Sequence, residues 1–147
     1  AQAAVAALAG TAELTVLVRE PERAAELLAA AERLAAPVRL RRLSDLDPAA
    51  GLSGTAELLI STLPAGAADR LASRLRFGAG QAVLDVVYAG WPTPLARTAQ
   101  QAGATVIGGA AVLLHQAAAQ VELMTGRAAP VEAMRAAMRA AAPGCGC

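Results

Sequence analysis

The stretch from Ala82 to Ile107 reads AVLDVVYAGWPTPLARTAQQAGATVI, and its reading decides the fold class. It opens on an apolar run, Ala82-Val83-Leu84-Asp85-Val86-Val87, which reads as a strand interrupted by one carboxylate. Thr93 then offers a side-chain cap, Pro94 suits the first helical position, and Gly103 follows a helix running to Ala102. Ala104 to Ile107 is a second short apolar run. Strand, helix and strand at these lengths make a βαβ unit, and such a unit implies parallel strands.

The same alternation extends in both directions. Upstream lie a helix from Ala1 to Leu8 stopped by Gly10, an apolar strand Leu14–Val18, and a helical pattern from Pro21 to Ala36 ended by Pro37. Val38-Arg39-Leu40-Arg41 alternates apolar and charged, as an edge strand with one wet face does. Ser44-Asp45 reads as the cap of a short helix ending near Gly51, Leu58 to Thr62 as a strand, and Ala67 to Leu75 as a helix. Gly109 to Thr125 and Val131 to Ala142 are the last two helices. The expectation is an α/β, doubly wound parallel sheet of about five strands, near 14–18, 38–42, 58–62, 82–87 and 104–107, with helices on both faces. Such sheets normally open on a strand whose Gly-rich turn holds a pyrophosphate. This chain opens on a helix, so that first strand and Gly-rich loop are expected to be missing.

With 147 residues, 56% of them hydrophobic, the chain is long enough for one core, expected over residues 1–142. Residues 143–147 are expected to be a mobile tail with Cys145 and Cys147 reduced, as in a cytoplasm; two thiols one residue apart make at most half a zinc site, so no metal is expected. A net charge of +1 excludes the basic field of a nucleic-acid binder. The uncharged stretch from Thr98 to Val121 is broken by Gln and Gly, and its apolar run falls short of the roughly 20 residues that a membrane helix needs. Ala1-Gln2-Ala3 lacks the basic start of a signal peptide and reads as a chain entered partway. Lysine is absent, so a Schiff base, a lysine general acid or a phosphate-loop amine is beyond this chain alone.

In an open parallel sheet, ligands bind beyond the carboxyl ends of the strands. Arg19 follows the first strand, and Arg23 comes four residues later in a helical turn, so both guanidinium groups could face one anion. The plainer reading of the same spacing is a pair of solvated surface arginines balanced by Glu20 and Glu22. Ser61-Thr62 is compatible with ordinary turn chemistry. Tyr88, the chain's only tyrosine, either bonds a small polar substrate or caps the core with its hydroxyl in water. Gly109, Val112, Gln116 and Gln120 form one stripe of a helix, with Gly109 permitting close backbone approach at its start, and His115, about 100° away, reads as a helix-surface histidine.

The order of motifs resembles the C-terminal half of shikimate dehydrogenases. Asp85-Val86-Val87-Tyr88, Thr93-Pro94-Leu95, Gly109, Leu113, Gln116 and Thr125-Gly126 are similar to that family's D-x-x-Y, T-P-L, G-x-x-M-L-x-x-Q and T-G. Val18-Arg19-Glu20-Pro21-Glu22-Arg23 resembles its N-R-T-x-x-R, and Ser61-Thr62 its N-A-T. The resemblance implies a Rossmann-like NADP-binding domain. It implies Arg19 and Arg23 on the adenosine 2′-phosphate, Thr62 near the cofactor, and Gly109 and Val112 along the nicotinamide side. Tyr88 and Gln116 would reach the shikimate or 3-dehydroshikimate held by a separate N-terminal domain. That domain supplies the family's proton-transferring Lys and Asp, so no catalytic residue is expected in these 147 residues, which alone should not turn over substrate. A homodimer is among the assemblies this allows. Val18, Glu20, Ile60 and Val112 stand where the family has Asn, Thr, Asn and Met. Glu20 keeps open an NAD-preferring quinate or shikimate dehydrogenase, and a non-catalytic nucleotide-binding module is the reading from another class.

Overall fold

The computed structural model describes residues 1–46 and 56–145. They fall into two compact units, Ala1–Asp47 and Pro48–Cys147. In the first, helix α1 (Gln2–Leu8) precedes strand β1 (Leu14–Val18), a 3-10 turn (Pro21–Ala24), helix α2 (Ala25–Arg33) and strand β2 (Val38–Arg42). A 3-10 turn at Leu43–Asp45 follows. β1 and β2 are parallel, with Leu14 opposite Val38 and Val18 opposite Arg42. Val5 of α1, Leu27 and Ala31 of α2, and Ala36 form the buried cluster, against which Leu14, Val16 and Val38 pack. Both helices therefore lie on one face of this sheet.

The second unit runs β3 (Leu58–Ser61), α3 (Asp69–Ala72), β4 (Ala82–Asp85), α4 (Pro94–Gln101), β5 (Thr105–Gly108), α5 (Gly109–Thr125) and α6 (Val131–Ala141). Its three strands are parallel in the order β3-β4-β5. Leu75, Val83, Leu95 and Leu114 are each 2% exposed or less and anchor its core. Truncating such a leucine to alanine costs about 2–5 kcal/mol.

All five strands stand where the sequence led us to expect them, and every pairing is parallel. The expected doubly wound parallel α/β class is the one observed. Among the described residues no ladder joins β1 to β3: β1 and β2 form a sheet of two strands, and β3, β4 and β5 a sheet of three. No helix among them is long and apolar enough to cross a membrane.

Several boundaries differ from expectation, each for a local reason. The helix expected from Pro21 begins as a 3-10 turn and stops at Arg33, with Ala35 at φ +48 ahead of Pro37. The helix expected over 67–75 shrinks to Asp69–Ala72, since the Ser73 hydroxyl donates to the Arg70 carbonyl and competes with the next turn. The Ser44 helix is a single 3-10 turn, and its expected end near Gly51 lies outside the described residues. β4 ends at Asp85 rather than Val87, because the Val87 N–H donates to Asp85 Oδ1 (3.3 Å) instead of continuing the ladder. Cys145, expected to be reduced, is buried and disulfide-bonded, and its N–H donates to the Ala142 carbonyl at 3.1 Å.

Candidate functional site

In the first unit, the carboxyl end of β1 passes directly into the 3-10 turn. Pro21 sits at the turn's first position and Glu20 at its extended cap, which brings Arg23 back towards Glu20. Arg23 Nε donates to Glu20 Oε2 at 2.7 Å, with the two side chains 80% and 56% exposed. Glu22 is held from another strand: Arg42, at the end of β2, donates to Glu22 Oε1 at 3.2 Å. Arg19 is exposed and forms no ion pair among the described residues. The expected balancing of arginines by Glu20 and Glu22 thus exists, but Glu22 balances Arg42 and leaves Arg19 free. An open cleft of about 490 Å³ lies beside this turn, lined by Val18, Arg23, Ala24 and Leu27 among others. Arg19, Arg23 and Arg42 stand here with Glu20, Glu22 and Glu26, the last lining the same cleft, so guanidinium and carboxylate groups balance, and Arg19 is the one of the three arginines without an ion pair among the described residues.

In the second unit, the parallel register sets Ser61, Asp85 and Gly108 abreast at the carboxyl ends of β3, β4 and β5. The three differ in kind. Asp85 is 1% exposed, and its Oδ2 accepts a 2.7 Å hydrogen bond from Thr93 Oγ1. Thr93 Oγ1 in turn accepts from the Ala96 N–H at 3.1 Å, the side-chain cap expected from the sequence. Ser61 Oγ is buried without a hydrogen-bond partner among the described residues, although a buried hydroxyl ordinarily has one. Gly108 faces the Trp91 ring, whose atoms would stand 3.1–3.2 Å from an added Cβ. Thr62, one residue past Ser61, is exposed.

Gly109 opens α5, and the close backbone approach expected there is to the chain itself. A Cβ at Gly109 would run into the Val86 carbonyl and stand 3.0 Å from the Val87 carbonyl carbon, while the Gly109 N–H donates to the Val87 carbonyl oxygen at 3.2 Å. Leu114 and Ala118, buried at i and i+4, fix the inward face of α5. At 100° per residue, Val112, Gln116 and Gln120 then lie on the opposite side, while Gly109, in the first turn, is buried against the end of β4. Val112 is 36% exposed, and Gln116 is exposed as well. Tyr88, three residues beyond β4, is 56% exposed, so its ring is not buried in the core. His115 is exposed on a flank of the helix.

Three features of these strand ends were not singled out from the sequence. Arg42 belongs to the β1 tip only through parallel register, which no local pattern reveals. The buried hydroxyl of Ser61 reads locally as turn chemistry. Trp91, the chain's only tryptophan, is placed against Gly108 by the β4–α4 connection, and its uniqueness was the available signal.

The family model described as the shikimate 5′-dehydrogenase C-terminal domain matches residues 109–139. The chain is 37% identical over 141 residues to the NADP(+) shikimate dehydrogenase of Moorella thermoacetica, covering 92% of this chain and 47% of that protein. It is 43% identical over 96 residues to the NADP(+) shikimate dehydrogenase of Natronomonas pharaonis, covering 64% of this chain and 36% of that one. Among solved structures, the shikimate dehydrogenase of Mycobacterium tuberculosis superposes with a TM-score of 0.76 at 42% identity, covering 95% of this chain and 51% of that one. A shikimate 5-dehydrogenase from Mycobacterium fortuitum gives 0.78 at 40% identity, over 92% and 50% of the two chains. The chain thus spans about half the length of the relatives that it matches over most of its own. In sequence and fold the chain is thus similar to about half of a shikimate dehydrogenase, and its residues 109–139 match the family's C-terminal domain.

Proposed function

We propose that the chain is the cofactor-binding part of an NADP-dependent shikimate dehydrogenase, which reduces 3-dehydroshikimate to shikimate in aromatic amino acid and chorismate biosynthesis. The observation that carries this reading is the identity with named NADP(+) shikimate dehydrogenases, 37% over 92% of the chain in one case. A cytoplasmic location, as a monomer or a homodimer, goes with that chemistry. Residues 1–142 are read together as the NADP domain, and residues 143–147 as its tail.

The side chains present suit the cofactor's chemistry. A phosphate monoester on an adenosine ribose suits guanidinium donors, and the β1 tip has Arg19, without an ion pair among the described residues, and Arg23 beside a cleft. Thr62 lies near the cofactor, Gly109 and Val112 lie along the nicotinamide side, and the Ser61 hydroxyl next to Thr62, without a partner among the described residues, is a polar group that a bound molecule or water would satisfy. NADPH, when bound, supplies the hydride. The chain's own part is to hold and orient: arginines at the phosphate end, the exposed Val112 face against the reacting ring, and Tyr88 and Gln116 as hydrogen-bond partners for substrate hydroxyls. The proton moves through a lysine and an aspartate of the N-terminal domain, so these 147 residues alone do not turn over shikimate.

A preference for NAD is the second reading, and Glu20 is the residue that favours it, since its carboxylate already occupies Arg23 at 2.7 Å. Steady-state assays of the full-length protein test both, following nicotinamide absorbance with shikimate or quinate and with NADP or NAD. The proposal expects NADP with shikimate to be the best pair. No turnover with any pair would instead indicate a nucleotide-binding module without chemistry.

A further inference from the structure

The parallel register sets Arg42 opposite Val18, one residue before Arg19. Side chains alternate along a strand, so Arg42 shares a face with Val38 and Leu40, and Val38 packs on the core side beneath α2. This is the face that carries the Pro21–Ala24 turn, and the Arg42 guanidinium reaches Glu22 of that turn at 3.2 Å. Arg41 belongs to the other face and donates to the Asp45 carbonyl at 3.3 Å. Val18, the register partner of Arg42, lines the open cleft together with Arg23.

We propose that Arg42 is a third guanidinium of the anion site at Arg19 and Arg23, selecting a 2′-phosphorylated adenosine, with Glu22 the partner that the phosphate displaces. The inference rests on the NADP reading above and adds a residue that the family's motif does not contain. Charge decides the matter. Glu20, Glu22 and Glu26, the last lining the cleft with Arg23, outnumber Arg19 and Arg23, so without Arg42 this end of the sheet would be net negative towards a phosphate carrying nearly two negative charges. With Arg42 the charges balance. Arg42 thus offsets Glu20, the carboxylate standing where the family's motif has a threonine. The Arg42–Glu22 pair is half to three-quarters exposed, so it is weak enough for a phosphate to compete with.

Calorimetric titration of the full-length protein with adenosine 2′,5′-bisphosphate and with 5′-AMP, at low ionic strength, tests this without turnover. Wild type is expected to bind the bisphosphate more tightly. Arg42→Gln should lower bisphosphate affinity about tenfold and leave 5′-AMP affinity unchanged, as loss of a charge-assisted hydrogen bond implies. Arg42→Lys, which keeps the charge without the planar fork, should fall between them, and Glu22→Gln should raise bisphosphate affinity about twofold. Full discrimination in Arg42→Gln alongside its loss in Arg19→Ala would overturn the role of Arg42 and leave the NADP reading standing. Equal losses for both probes in Arg42→Gln and Arg42→Lys would assign Arg42 to the fold and also overturn it. Equal binding of the two probes by wild type would overturn the NADP reading itself, and the inference with it.

Discussion

Asp85 and Thr93, eight residues apart, are joined by a 2.7 Å hydrogen bond at which both residues are buried. The bond ties the end of β4 to the first turn of α4. Each partner also serves the backbone: Asp85 Oδ1 accepts from the Val87 N–H, and Thr93 Oγ1 accepts from the Ala96 N–H. Two landmarks of the family resemblance are therefore a structural bracket, which sets where the chain leaves the sheet before it reaches Tyr88.

Thr93→Val should consequently destabilise the protein by about 1–3 kcal/mol, the cost of leaving buried polar groups unpaired. Thr93→Ser keeps the hydroxyl and should lose less than half as much. Denaturant midpoints of the two variants against wild type decide it, and a Thr93→Val protein as stable as wild type would mean that the bracket contributes nothing.

Gly109→Ala should cost about 1–3 kcal/mol or more, because the added methyl meets the Val86 carbonyl, which belongs to rigid backbone. Gly126→Ala offers the contrast. Gly126 ends α5 at φ +66 with nothing within 4 Å of an added Cβ, so only conformational strain of about 1 kcal/mol applies. Thermal unfolding of both should rank Gly109→Ala as the more damaged; the reverse order would contradict the close approach of α5 to the β4 end.

Local signals made much of this legible. The Thr93 cap with Pro94, the Gly126 stop of α5, and the apolar runs at Leu14 and Leu58 are each encoded within a few neighbouring residues, and each element formed where expected. The end of β4 was misplaced because it depends on a side chain capturing a backbone N–H two residues on. Arg42 was missed because its neighbours come from parallel register across 20 residues of chain, and periodicity carries no register. Gly109 was read correctly as a point of close approach, but composition could not say that the approaching group is the chain's own Val86 carbonyl.

Tyr88→Phe and Gln116→Ala, made in the full-length protein, should each raise KM for shikimate with little change in stability. Both side chains are exposed in the second unit and bear no core load, so what they lose is a hydrogen bond to substrate, worth about 0.5–1.5 kcal/mol. His115→Ala is the control, since that ring projects from a flank of α5 about 100° from Gln116. A larger kinetic loss at His115 than at Gln116 would reverse the assignment of the substrate-facing side.

Arg19→Ala, in the same full-length protein, should weaken NADP binding by more than tenfold and leave NAD nearly untouched. Arg19 is the arginine of the β1 tip without an ion pair among the described residues, so no carboxylate has to be displaced before it meets a phosphate. Arg23 must first give up its 2.7 Å contact with Glu20, and Arg23→Ala should therefore cost less than Arg19→Ala. Removing the competitor acts in the opposite direction: Glu20→Gln frees Arg23 and deletes a negative charge, and should lower KM for NADP while leaving KM for NAD in place. Because all these groups are exposed, the preference should shrink as salt rises, the screening length falling from about 10 Å at 0.1 M to about 3 Å at 1 M. Initial rates with each cofactor across that salt range measure both effects at once. Equal losses for NADP and NAD in Arg19→Ala, at every salt concentration, would show that the arginine supports the turn and does not read the phosphate.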